Sequence, residues 1–160
     1  MRFAVMALLG AAMVAGSAAG HGQDGDGMDL WAGSCSADSH TADGKVRTLY
    51  PCNAVLHMAL PGDPGHEMLI FVIKGDAGKQ NGVMLSFGGR IDAKGNLQVE
   101  RIQFTPAVAT PMAVGSECVI TRAGAAFKRI RCSATASDGS GRSAAIDFTV
   151  TGKTEIKGQG

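Results

Sequence analysis

Apolar residues in this chain recur at every second position in short runs, and clusters of glycine, proline and small polar residues separate the runs. Val83, Leu85 and Phe87 fall on one face of such a run. Ala144, Ile146, Phe148 and Val150 do the same, with Asp147, Thr149 and Thr151 opposite. A period of two is the signature of a half-buried strand. The pattern predicts strands over residues 45–50, 53–60, 67–74, 83–87, 96–104, 117–122, 126–136 and 143–151. In the fifth of these, Leu97 and Val99 share one face while Ile102 and Phe104 share the other. That phase change predicts a bulge near Glu100 and Arg101.

The connectors carry turn chemistry: Pro61-Gly62-Asp63-Pro64-Gly65, Asp92-Ala93-Lys94-Gly95 and Ser137-Asp138-Gly139-Ser140-Gly141. Thr105-Pro106 and Thr110-Pro111 bracket a segment expected to be an extended loop. Helical periodicity is nearly absent after the first twenty residues, and glycine supplies 23 of 160 positions, which suits many short strands. The expected fold is all-β: a single antiparallel β-sandwich or partly open β-barrel.

The first segment reads differently. Arg2 followed by the apolar run 3–14 and the small residues Gly16 to Gly20 is the pattern of a secretory signal peptide. The run is too short to span a bilayer, and no cysteine stands near the small-residue site to take a lipid. The chain is therefore read as a signal peptide (1–20), a flexible N-terminal segment (21–30), a β domain (31–152) and a flexible tail (153–160). The mature protein is expected to be periplasmic or secreted, with no transmembrane segment after cleavage. Charge is balanced, with 15 basic against 14 acidic residues, so nucleic acid is not an expected partner.

Cys35, Cys52, Cys118 and Cys132 form an even set in an exported chain, and two disulfides are expected. Turn chemistry selects among the three connectivities. A two-residue turn at Asp43-Gly44 would set Cys35 opposite Cys52, and a loop over Gly124, Ala125 and Ala126 would set Cys118 opposite Cys132. Opposed strand residues are close enough to be bridged. Each bridge would contribute roughly 3 kcal/mol. Pro51 has no N–H to give a ladder, so the first hairpin is expected to be irregular near its bridge.

Tests for catalytic motifs fail. There is no G-x-S-x-G elbow, Gly139-Ser140-Gly141 being a hairpin loop, and no C-x-x-C. His66-Glu67 opens like a zinc-protease motif, but Leu69 and Ile70 occupy the next turn and a strand is expected there. Asp24-Gly25-Asp26-Gly27 lacks the later ligands of a calcium loop. No catalytic residue and no cofactor is assigned.

Two candidate binding features remain. Arg122, Lys128, Arg129 and Arg131 lie on one predicted hairpin, where alternation puts Phe127, Arg129 and Arg131 on the face opposite Ile130 and Cys132. They read as a solvent face, or as a basic strip for an acidic partner such as lipopolysaccharide or another protein. His21 would stand at or near the mature N-terminus, where an amine, backbone nitrogens and an imidazole suit copper(II). A folded copper site there would need His40, His57 or His66 as well. His57 itself, alone on a strand face, reads as structural.

Trp31-Ala32-Gly33-Ser34-Cys35, followed by Cys52, resembles the W-x-x-x-C…C opening of the invasion-associated locus B family of bacterial exported β-proteins. The resemblance covers about the first fifth of the mature chain and implies an exported β-protein. It departs at the second cysteine pair, closely spaced in that family and far apart here, and no site residue is carried over. The function expected from the whole sequence is that of an exported, non-catalytic β-domain with a binding or envelope-structural role, its partner an envelope component or another protein. The alternative is a copper-binding protein using the region around His21.

Overall fold

When strands alternate apolar and polar residues, the apolar rows must meet, and here they meet inside a closed barrel. The computed structural model describes residues 27–73, 84–104 and 109–154. Among these there is no helix. The strands are β1 (Met28–Cys35), β2 (His40–Asp43), β3 (Val46–Leu49), β4 (Ala54–Ala59), β5 (His66–Val72), β6 (Met84–Ile91), β7 (Leu97–Phe104), β8 (Thr110–Pro111), β9 (Glu117–Ala123), β10 (Ala126–Thr135) and β11 (Ser143–Thr154). Around the barrel the order is β1-β4-β5-β6-β7-β9-β10-β11, every pairing is antiparallel, and β11 returns to β1. Of the two expected architectures the barrel forms, and it closes. The β2–β3 hairpin attaches to the start of β11, with His40 opposite Ala145. Strand β8, expected to be loop, continues the seam beside β7, with Thr110 opposite Ile102.

An eight-stranded barrel is just wide enough for side chains to fill. Phe71, Phe87, Phe148, Leu69, Leu85, Leu97, Ile102, Ile130 and Val55 are fully buried. Phe71 meets Phe87 and Phe148 edge-on, at 5.7 and 5.8 Å between centroids. Each such side chain contributes about 1.5–3 kcal/mol through burial. Tyr50 closes the end near the first disulfide, donating its hydroxyl to the Phe71 carbonyl at 2.9 Å. Burial pushes its phenol well above the ordinary range.

Two glycines allow the sheet to bend. The β1–β11 register shifts at Ala32/Gly33 and the β6–β7 register at Gly88/Gly89. A Cβ on Gly33 would overlap the Thr149 carbonyl, and one on Gly89 would overlap the Gln98 carbonyl. These are close backbone approaches at bulges, which only glycine permits. The second bulge leaves Glu100 unopposed between Val99 and Arg101, where the phase change in the sequence places it.

Both disulfides form, Cys35–Cys52 and Cys118–Cys132, but their local geometry departs from the expectation. The β2–β3 turn is Gly44-Lys45, since Asp43 is the last paired residue and opposes Val46; Gly44 takes the positive φ of 60°. Cys35 is not in that hairpin. It ends β1 and meets Cys52 along the continuation of the β1–β4 pairing, donating its N–H to the Cys52 carbonyl at 2.8 Å. Pro51 therefore interrupts no ladder. The β9–β10 turn is two residues, Ala123 opposing Ala126, and a bulge at Lys128 then restores the register that sets Cys118 opposite Cys132. The same bulge turns Phe127 to the inside, where it is 4% exposed. Simple alternation, which put Phe127 with Arg129 and Arg131, is corrected at this point.

The edges of the domain also differ from the expected limits. β1 starts at Met28, inside the segment read as flexible, because Met28, Asp29 and Leu30 pair with Met58, His57 and Leu56. β11 runs to Thr154, which pairs with Leu30.

Gly89→Ala is expected to lower stability by about 1–3 kcal/mol through forced overpacking, measured as a shift in urea midpoint, with Val46→Thr on exposed β3 as a near-neutral control. The bridges should also reduce in order under dithiothreitol. Cys118 and Cys132 are sealed at 0% and 3% exposure, whereas Cys35 is partly exposed. Mass mapping of alkylated cysteines should find the Cys35–Cys52 bridge opened first.

Candidate functional site

One end of the barrel is built by the start of β1, the β9–β10 turn and the last residues of β11. An open cleft of about 430 Å³ lies there, lined by Asp29, Trp31, Ala125 to Lys128 and Val150 to Lys153. Its floor is aromatic. Trp31 and Phe127 lie 5.1 Å apart at a 39° tilt, and both are buried in the core cluster. Alternation on β1 explains why Asp29, Trp31 and Gly33 share a face. Register explains the rest: Trp31 stands opposite Lys153 across the closing seam and opposite Val55 on the other side.

Cations cover both rings. The Lys153 ammonium sits 5.6 Å from the Trp31 ring centroid and the Arg122 guanidinium 5.0 Å from that of Phe127, within cation–π range. Lys153 also pairs with Asp29 at 2.6 Å, both side chains being well exposed, so the pair is worth at most about 1 kcal/mol. Arg122 is anchored by donating to the Gly95 carbonyl at 2.9 Å. The Trp31 indole N–H is buried and has no acceptor among the described residues. A donor left in that state costs about 1–3 kcal/mol.

Beside the cleft, His57 packs edge-on against Phe127 at 5.3 Å and contacts the Glu67 carboxylate at 2.6 Å. His66 lies on the next strand and faces away from Glu67. Its Nδ1 meets Asp63 at 2.5 Å and its Nε2 meets Glu100, the bulge residue, at 2.9 Å. Arg90 flanks both carboxylates at 3.6 and 3.7 Å. His40 contacts the Asp38 carbonyl at 2.7 Å. His21 lies outside the described residues. Among those described, no group of three or more His, Cys, Asp and Glu side chains could hold a metal ion.

The four basic residues singled out from the sequence separate into two pairs. Arg129 and Arg131 point outward from β10. Arg129 forms a two-pronged bond to Asp147 at 2.7 and 2.5 Å. Arg122 and Lys128 belong instead to the cleft end, one over Phe127 and the other in the lining. Sequence reasoning missed Asp29 and Lys153, which fell in segments read as flexible. The Asp29–Trp31–Gly33 alternation was the signal available for the first of them.

Comparison with known proteins finds no similar family, curated protein or solved structure. The likeness of residues 31–35 to the W-x-x-x-C opening therefore stays confined to that motif.

The Arg129 guanidinium bonded to Asp147, with Arg131 nearby, holds the Asp147 carboxyl below its ordinary range. A depressed carboxyl pKa stabilises the fold fully above the unfolded value of about 3.9 and loses that contribution as pH falls through the folded value. Asp147→Asn should thus lower the urea midpoint at pH 7 and have progressively less effect below about pH 4.

Proposed function

We propose that this protein is an exported, non-catalytic β-barrel domain that works by binding, in the bacterial periplasm or outside the cell. One observation carries the reading. The barrel interior is filled by its own side chains, yet one end keeps an open cleft with an aromatic floor and a charged rim. Its volume lies within the range of small-ligand sites, and such sites combine apolar walls with a few placed polar groups.

Export is supported by two intramolecular disulfides, which persist in oxidising compartments, and by the signal-peptide pattern of residues 1–20. No helix among the described residues is long and apolar enough to cross a membrane. The non-catalytic part of the reading rests on the sequence, which carries no G-x-S-x-G elbow and no C-x-x-C, and on the four cysteines being tied up in disulfides.

Asp29 offers a test, because it lines the cleft on the same strand face as Trp31 and its side chain is 40% exposed. Asp29→Phe should fill the cleft and leave the fold intact, since the ion pair it removes is worth at most about 1 kcal/mol. The neutral fluorophore N-phenyl-1-naphthylamine should bind the native protein saturably at one site. The variant should bind it at least about tenfold more weakly, as expected when a well-formed apolar contact is lost. Binding that is absent, or indifferent to the substitution, would overturn the cleft as a ligand site and leave an envelope-structural role.

A further inference from the structure

We infer that the cleft takes an amphiphilic anion, a single carboxylate-like head on an apolar body. This rests on the binding reading above and specifies its ligand. Lys128 and Lys153 line the cleft, and Asp29 is the sole acidic residue in that lining. Arg122 adds a third cation above Phe127. The Asp29–Lys153 pair is exposed on both sides, at 40% and 58%, so water already screens it and an incoming anion competes for the ammonium at little cost. The apolar body has a surface to lie on, supplied by the partly exposed Ala126 and Val150.

The buried Trp31 N–H is a second and independent pointer. It has no acceptor among the described residues, and an acidic head brings acceptor oxygens. Lys153, which covers the indole ring, is also the cation that the head would draw away. A cationic ligand finds no equivalent, because Lys153 and Arg122 already occupy the aromatic faces. The concave shape favours one dissolved molecule over a flat lipid surface.

Trp31 is the single tryptophan of the chain, so its fluorescence reports directly on the cleft. Decanoate, 1-decanol and decyltrimethylammonium, each below its aggregation concentration, make the comparison. Decanoate should change the emission saturably, and the neutral and cationic chains should bind about tenfold more weakly or worse. Lys128→Gln and Lys153→Gln, both at exposed positions, should each weaken decanoate about five- to tenfold. Equal affinity for all three chains, or preference for the cation, would overturn the anion inference while leaving a binding cleft. Response to phosphatidylglycerol vesicles but not to dissolved decanoate would overturn it in favour of a membrane contact. No saturable response to any probe, together with no binding of the neutral fluorophore, would overturn the binding reading itself.

Discussion

The insertion of β1 between β4 and β11 is the interaction on which the rest of the structure depends. A sheet of this curvature left open would expose two rows of unpaired N–H and C=O groups, and closure removes both. β1 achieves it by pairing on both sides, Trp31 facing Val55 on one strand and Lys153 on the other. The β1–β11 register slips beside Gly33, where Thr151 of β11 is left unopposed, so β11 bends to meet β1. The last residue of β1, Cys35, is covalently tied to Cys52. The core, the first disulfide and the floor of the cleft thus share one eight-residue element.

The strand that matters most was the hardest to see in the sequence. β4, β5, β6, β9, β10 and β11 announce themselves because an apolar row runs along one face of each. In β1 the inward row reads Asp29, Trp31, Gly33, a charge, one large ring and a residue without a side chain. Trp31 is the one large apolar residue in that row, so the alternation is a faint signal: the charge lies at the rim and the glycine lies under a neighbouring carbonyl. β2, with His40, Thr41, Ala42 and Asp43, has no apolar row either. Bulges divide along the same line. The one at Glu100 was legible because apolar residues flank it on both faces. The one at Lys128 was hidden, because Lys128, Arg129 and Arg131 carry no burial preference that could show a slip. The cysteine pairing was legible from turn chemistry, although Cys35 turned out to reach Cys52 from a different strand.

The cleft was less legible than the fold because it is assembled across the seam. Asp29 and Trp31 come from the first strand, Phe127 and Lys128 from the tenth, and Lys153 from the end of the eleventh. No local spacing connects them. The basic hairpin seen in the sequence contributes half of its cations to this end and half to an outer wall where Asp147 partly neutralises them. Linear clustering of charge therefore overstated one surface and understated another.

Seam closure between the first and last strands also sets an order in time. Local hairpins such as β4–β5 and β9–β10 join neighbours in the chain and close short loops, whereas β1 and β11 bring together segments from opposite ends of the domain. Such non-local pairing must offset its loop-closure entropy before any burial rewards it, and it slows folding. Until β11 docks, β1 has one side unpaired. The Cys35–Cys52 link, once formed, pins β1 against the segment leading into β4 and shortens that search. The aromatic floor and its cationic rim come into existence only with the last strand, so any partially made chain carries the core-forming sequence without the site.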